Sequence, residues 1–227
     1  MTVSRPWIGL IRVLTTDDPG VLGAHERLLR LAYPGLAVRT ACIPDQPRGV
    51  HDEVSLAAAA PKVARLAGEL AEGGAAAVII SCCADPGLEL CRAAVSVPVI
   101  GAGRAAAAMA LLPGGPVGVL GLTTEVPLPV VQVLGRALHR SAAPHGVRTT
   151  LDLMKADAMD ACIKAARELR AAGARVILVA CTGMSTAGVT ARLRQELSLP
   201  VIDPVLAAGG AAITMLAHEG VIAGCAS

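Results

Sequence analysis

The sequence repeats itself. Val95-Ser-Val-Pro-Val-Ile-Gly101 returns as Leu197-Ser-Leu-Pro-Val-Ile-Asp203, Val78-Ile-Ile-Ser-Cys82 returns approximately as Ile177-Leu-Val-Ala-Cys181, and Leu14-Thr15-Thr16 returns as Leu122-Thr123-Thr124. Three matches in one order, each pair about 100 residues apart, describe two homologous halves that meet near Leu111–Pro116. Each half alternates short Val/Ile-rich runs with longer Ala/Leu/Arg segments of helical period, the pattern of βα units around a parallel sheet. Strands are expected at Trp7–Leu14, Ala37–Cys42, Ala76–Cys82, Val97–Gly101, Pro116–Gly121, Val147–Leu151, Arg175–Cys181 and Leu199–Ile202. Helices fit between them. Val54–Glu72 places Leu56, Val63, Leu66 and Leu70 at helical spacings, with Pro61 expected to kink it or delay its start, and Ala156–Ala172 stops at Gly173. The fold class is therefore α/β, with two pseudo-symmetric lobes built on parallel sheets.

Composition removes several functions. The 227 residues carry a net charge of +2, and Trp7 and Tyr33 are the only aromatic residues. No nucleic-acid partner is expected, since neither a basic field nor a stacking platform is present. A hydrophobic share of 54% supplies a core but no membrane span. The longest uncharged run, Ala105–Thr124, is cut by Pro113, Gly114, Gly115 and Pro116, and Pro204–Ala217 falls short of the roughly 20 residues a spanning helix needs. Arg12, Asp17 and Asp18 spoil a secretory layout at the start, so a soluble, cytoplasmic protein is expected.

Seven cysteines are present: Cys42, Cys82, Cys83, Cys91, Cys162, Cys181 and Cys225. The number is odd and no Cys-x-x-Cys or Cys/His ladder occurs, which argues against a disulfide framework and a structural metal. Cys42, Cys91, Cys162 and Cys225 lack a counterpart in the other half and read as core or incidental thiols. Cys82 and Cys181 close the third strand of each half. Ligands of open α/β sheets sit beyond the carboxyl ends of strands, so both cysteines, and Thr15, Thr16, Thr123 and Thr124, fall at ligand-facing ends. If the halves pack about a pseudo-twofold axis, the two thiols confront each other across one cleft. Cys82 and Cys83 are neighbours on a strand and point to opposite sides, so one of them faces the ligand.

One acid/base group on each side of a ligand suits removal of a proton from one face of a carbon and its return to the other. A thiolate acts as base and a thiol as acid, each tunable towards neutrality. The carbanion formed between them needs oriented donors. Backbone N–H groups of Cys83 and Ala84 after Cys82, and of Thr182 and Gly183 after Cys181, are available at the starts of the next helices.

Ser81-Cys-Cys-Ala-Asp-Pro-Gly-Leu88, Pro98-Val-Ile-Gly101, Ala180-Cys-Thr-Gly-Met184 and Pro200-Val-Ile-Asp203 resemble the aspartate/glutamate/hydantoin racemase superfamily, most of all its hydantoin racemase branch. The resemblance runs over nearly the whole chain. It implies two Rossmann-like lobes with the active-site cleft between them, no cofactor, and a cysteine acid/base pair formed by Cys82 and Cys181. It also implies that the last helix, from about Val205, returns to the first lobe, giving a lobe of residues 1–103 with 205–227 and another of residues 104–204. Glutamate racemases carry a His after the second cysteine and Asn-Thr after the first, where this chain has Gly183 and Cys83-Ala84. Hydantoin and allantoin racemases open with an Asn-Pro-Asn-Thr-like loop, where this chain has Arg12-Val-Leu-Thr-Thr16. Arg12 reads equally as a contact to an anionic ligand and as a salt bridge closing the strand end.

Other residues take plainer readings. Asp85 and Asp203 each precede a proline at a helix start and read as N-caps. The histidines are scattered singly, with His51 in a polar loop, Pro44–Asp52, that could cover the cleft. Gly101-x-Gly103 lacks the third glycine and the acidic residue of a dinucleotide loop. The expectation is a cofactor-independent racemase of hydantoin type, acting on a small molecule with an acidic carbon beside a carbonyl, and self-associating as a homo-oligomer. Its alternatives are a decarboxylase or cis-trans isomerase of a small dicarboxylate, an amino-acid racemase, and a non-catalytic binder of a small anion.

Overall fold

The computed structural model describes residues 6–221. Trp7–Arg12 (β1) is buried at every position, as befits an inner strand covered on both faces. It pairs in parallel with Ala37–Cys42 (β2) on one side and Ala75–Ser81 (β3) on the other, and β3 pairs with Val99–Gly101 (β4), giving the order β2-β1-β3-β4. The second half repeats this with Val117–Leu120 (β5), Leu138–Ala142 (β6), Val176–Val179 (β7) and Val201–Ile202 (β8), all parallel, in the order β6-β5-β7-β8. The helices are Pro19–Leu22 (α1), Ala24–Ala32 (α2), Glu53–Glu72 (α3), Leu88–Ala94 (α4) and Ala102–Leu111 (α5), then Leu128–Leu134 (α6), Ala158–Ala171 (α7), Thr182–Thr186 (α8), Val189–Glu196 (α9) and Pro204–His218 (α10). None of them is long and apolar enough to cross a membrane.

The halves agree beyond strand order. Val78 N–H bonds the carbonyl of Pro98 at 2.9 Å, and Ile177 N–H bonds that of Pro200 at 2.9 Å. Arg92 Nη2 donates to Val99 O at 3.3 Å, and Arg194 Nε donates to Val201 O at 3.1 Å. In each half an arginine from the helix after the third strand thus ties down the fourth.

Two expectations need correction. The strand expected at Val147–Leu151 lies instead at Leu138–Ala142. As an edge strand it is half exposed and carries His139, Arg140 and Ser141, so it lacks the apolar run of a buried strand. Residues 148–155 form a turn held by Asp152, whose Oδ2 accepts from the N–H groups of Arg148 and Thr149 at 3.0 and 2.8 Å, while Lys155 pairs with Oδ1 at 2.6 Å. Secondly, Pro61 does not delay the start of α3, which begins at Glu53 and continues through the proline. Its start is fixed by a capping box, with Asp52 Oδ1 accepting from Ser55 N–H at 2.7 Å and Ser55 Oγ accepting from Asp52 N–H at 3.0 Å.

The chain packs as two compact units. One runs as far as Gly101 and resumes at Ala208, and the other is Ala102–Ala207. In the first, Ile11, Val63, Val78, Ile80 and Leu88 bury one face of the sheet. In the second, Leu120, Leu169, Ile177, Met184 and Leu193 bury one face, and Ala106, Val119, Val130 and Leu178 the other. The body of α10 belongs to the first unit and meets α2 through glycines. A Cβ on Gly209 would overlap Leu29 and come within 3.0 Å of the Tyr33 ring, and one on Gly210 would lie 3.0 Å from Tyr33 Oη. Gly209→Val should therefore overpack this contact and cost about 1–3 kcal/mol. The expected result is a lower thermal midpoint, and an unchanged midpoint would show that α10 does not dock there.

Candidate active site

Both β3 and β7 stop just short of the cysteine that follows. Ser81 is the last residue of β3 and Cys82 the first beyond it, while β7 ends at Val179 and Cys181 stands as the N-cap of α8. In both halves a backbone bond then returns to the cysteine, from Asp85 N–H to Cys82 O at 3.1 Å and from Met184 N–H to Cys181 O at 3.1 Å. Of the adjacent pair, Cys83 is 3% exposed and Cys82 keeps accessible surface. Cys82 is thus the more accessible of the two, and Cys83 is packed away.

The second thiol has the better-defined surroundings. Burial pushes Cys181 up from the usual thiol value, and hydrogen bonds from the N–H groups of Met184 and Gly183 to its sulfur work against that. Gly183 has no room for a side chain, since a Cβ would meet Thr150 Cγ2 at 2.7 Å and Cys181 Sγ at 3.4 Å. The turn at residues 148–155 therefore lies against this thiol loop. Thr150 was not anticipated from the sequence, although Thr149-Thr150-Leu151-Asp152 carries a polar turn signal. Cys162 on α7 is fully buried, and its thiol is pushed up to about 11, by burial first and by the neighbouring Cys181 second.

The threonines divide. Thr15 Oγ1 donates to Ile43 O at 2.7 Å and accepts from Gln46 N–H at 2.7 Å, so it staples the β1 and β2 loops and has no donor left for a ligand. Thr16 Oγ1 accepts from Asp18 N–H at 3.2 Å, and its N–H reaches the Cys42 sulfur. Cys42 stands at the carboxyl end of β2 with its thiol raised chiefly by burial. Thr123 and Thr124 are exposed, the former donating to Glu125 O at 3.4 Å, and Thr182 opens α8 partly exposed. Ala84 is partly buried within the first thiol loop. Cys91 is a core thiol, and Cys225 lies outside the described residues.

Arg12 ends β1 at 3% exposure. Its Nη1 donates to the carbonyls of Val21 and, at 3.3 Å, Leu22, which close α1. No ion pair to Arg12 occurs among the described residues, so the expected salt bridge is not formed. Burial lowers its pKa to about 10. Register pairs Arg12 with Ser81 across β1 and β3, and Ser81 Oγ lies 2.8 Å from Nδ1 of the fully buried His25. A lone histidine inside an amphipathic helix carries no motif, so nothing in the sequence marks His25.

The two aspartates expected as N-caps behave differently. Asp203 Oδ1 accepts from Val205 and Leu206 N–H at 2.9 and 3.1 Å, capping α10 as anticipated. Asp85 does not cap α4, whose N-cap is Gly87. It is buried, adopts φ +46, and sets its carboxylate against Gly101. Among the described residues no cluster of His, Cys, Asp and Glu forms a metal site. A depression of about 490 Å³ lined by Pro113–Pro116, Arg175, Leu199 and Pro200 lies before β5, β7 and β8, at the wrong ends of the strands for the chemistry above.

Comparison with known proteins gives a consistent result. Residues 22–212 match the family model described as Asp/Glu/Hydantoin racemase. No curated protein matches the sequence significantly. Among solved structures, an allantoin racemase from Klebsiella pneumoniae is similar at 26% identity and TM-score 0.79, covering 95% of this chain and 89% of that one. An allantoin racemase from Pseudomonas fluorescens is similar at 25% identity and TM-score 0.77, covering 94% and 91%. A mutant of arylmalonate decarboxylase shares the fold at 19% identity and TM-score 0.66, covering 92% of each chain.

Because burial opposes ionisation of Cys181, its alkylation by iodoacetamide, followed by peptide mass spectrometry, should keep rising as pH passes the ordinary thiol value of about 8.5. A rate already at its plateau by pH 7 would mean that the two N–H donors outweigh burial.

Proposed function

Since this chain belongs to the Asp/Glu/hydantoin racemase family, we propose that it is a cofactor-independent racemase of hydantoin type in which Cys82 and Cys181 each serve one face of the substrate's stereocentre. The observation that carries this reading is the repeated thiol loop, with a cysteine just past the carboxyl end of the third strand in both halves and the same returning hydrogen bond after it. Similarity to allantoin racemases over nearly the full length of both chains supports the substrate class.

The chemistry follows from the residues. One cysteine, as thiolate, takes the proton from the carbon beside a carbonyl, and the other, as thiol, delivers a proton to the opposite face. The carbanion is an enolate in its main resonance form, and N–H groups aimed at its oxygen lower the barrier. In the first loop Cys83 and Ala84 supply candidate donors, and in the second Thr182 does, while Gly183 and Met184 N–H groups hold the sulfur. After turnover the two cysteines have exchanged protonation states, so the enzyme is set for the reverse direction without a cofactor.

A single-enantiomer 5-substituted hydantoin in deuterated water should lose optical rotation and gain solvent deuterium at its stereocentre. Cys82→Ser and Cys181→Ser should each lower racemisation by about 10²- to 10⁴-fold, the range for loss of an acid/base group. If no member of a hydantoin panel exchanges, the substrate class is wrong.

Arg12 favours a second reading, a decarboxylase or isomerase of a small dicarboxylate. Its guanidinium is almost wholly buried, has no carboxylate partner among the described residues, and uses only Nη1 in hydrogen bonds. A buried cation of this kind is stabilised by an anionic ligand. Arg12→Lys keeps the charge and Arg12→Met removes it. On this reading malonate protects the wild type and the lysine variant against thermal unfolding, and protects the methionine variant at least about tenfold more weakly, as expected for a charge-assisted hydrogen bond. Decarboxylation needs one proton donor only, so full turnover in Cys82→Ala with loss in Cys181→Ala would favour it over racemisation.

A further inference from the structure

We propose that Asp85 is the positioning residue of the first thiol, and that it does in the first half what two residues share in the second. The internal repeat aligns Asp85 with Met184, each three residues after its cysteine, and aligns Gly101 with Asp203. One carboxylate is therefore present in each half, at exchanged places. In the second half it is attached to the residue that ends the fourth-strand segment, where Asp203 Oδ1 receives two backbone N–H groups and is 3% exposed. In the first half that residue is Gly101, and the space of its missing side chain is filled by Asp85. A Cβ built on Gly101 would lie 2.5 and 2.6 Å from Asp85 Oδ2 and Oδ1.

Reaching that place constrains the loop. Asp85 holds φ +46, a left-handed conformation that asparagine and aspartate tolerate better than other side chains. Its N–H bonds Cys82 O at 3.1 Å and its carbonyl accepts from Leu88 N–H at 3.2 Å. The turn carrying Cys82 is thus fastened at one end by backbone bonds and at the other by a buried carboxylate against the end of β4. In the second half, Met184 fastens the matching turn by being fully buried in the apolar core. The two thiol turns are held differently, one by a buried carboxyl group set against the end of β4 and one by apolar packing.

The exchange is testable as a cycle. Gly101→Asp alone puts two carboxylates into one buried space and should lower the thermal midpoint by about 5 °C or more. Asp85→Met alone removes the anchor. The double variant, Asp85→Met with Gly101→Asp, copies the second half and should recover most of the midpoint lost by Gly101→Asp. The readout specific to positioning is the alkylation of Cys82 against pH, with Cys181 in the same sample as control. Asp85→Ala should move the Cys82 profile and leave that of Cys181 in place, and the double variant should restore it.

The kinetic arm rests on the racemase reading above. On that reading Asp85→Ala lowers kcat by about tenfold or more with KM little changed, as expected when a reacting group is misplaced. An unchanged Cys82 profile in Asp85→Ala, or a double variant no more stable than Gly101→Asp, overturns the proposal whatever the substrate is. Coupling in stability and alkylation with no proton exchange on any hydantoin would instead sink the racemase reading and leave the role of Asp85 standing.

Discussion

A backbone hydrogen bond made twice, from Asp85 to Cys82 and from Met184 to Cys181, is what the rest of this structure serves. A parallel strand that leaves its sheet must satisfy its last polar groups within one turn or carry them unsatisfied. Turning at the cysteine solves that problem and at the same time brings the next N–H groups round to the sulfur, as those of Gly183 and Met184 show at Cys181. The sheets, the arginine clamps at Arg92 and Arg194, and the apolar helices fix the direction from which each strand arrives. Without that frame the same turn would be a mobile loop, and the sulfur would have no fixed dipoles near it.

Much of this was legible in the sequence because buried parallel strands write themselves as apolar runs. β2 was placed to the residue, and the inner strands to within one or two residues at most ends. The repeat of Val-Ile-Gly101 as Val-Ile-Asp203 also revealed the duplication without any coordinates. What escaped was written in other terms. β6 is an edge strand whose His139 and Arg140 face water, so no periodicity marked it, while Val147, a single buried residue in a turn, drew the strand assignment to the wrong place. Arg12 had to be seen to be understood, since its hydrogen bonds go to backbone carbonyls nine and ten residues away, which no side-chain pattern encodes. Thr15 illustrates the opposite error. Its hydroxyl stands at a ligand-facing strand end and is nevertheless consumed by Ile43 and Gln46.

The duplicated halves are informative where they differ. Strand order, the backbone bonds to Pro98 and Pro200, and the backbone bond returning to each cysteine are the same in both halves. The carboxylate has changed place, the residue after the first cysteine is a buried thiol, and the second loop alone is backed by Cys162 and the Asp152 turn. A reaction that was symmetric in every respect would not call for such differences. On the proposed racemase reading, two faces of a stereocentre present different substituents to their acid/base groups, and unequal surroundings allow each thiol to be tuned to its own face.

The choice of sulfur over oxygen follows from the same energetics. A carboxylate in place of either cysteine would have to be desolvated in its ionised form, which costs more than desolvating a neutral thiol. A thiol is neutral when unneeded, so it enters a buried loop at little cost, and burial makes its conjugate thiolate a stronger base. That is the direction in which Cys181 is displaced. The price is a small standing population of thiolate, which the Gly183 and Met184 N–H groups offset by holding charge on the sulfur. On the proposed racemase reading the carbon acid beside a carbonyl is weak and its base must be strong yet present, so a desolvated sulfur held by two fixed N–H dipoles meets both demands where neither a bare surface thiol nor a buried, donor-free one would.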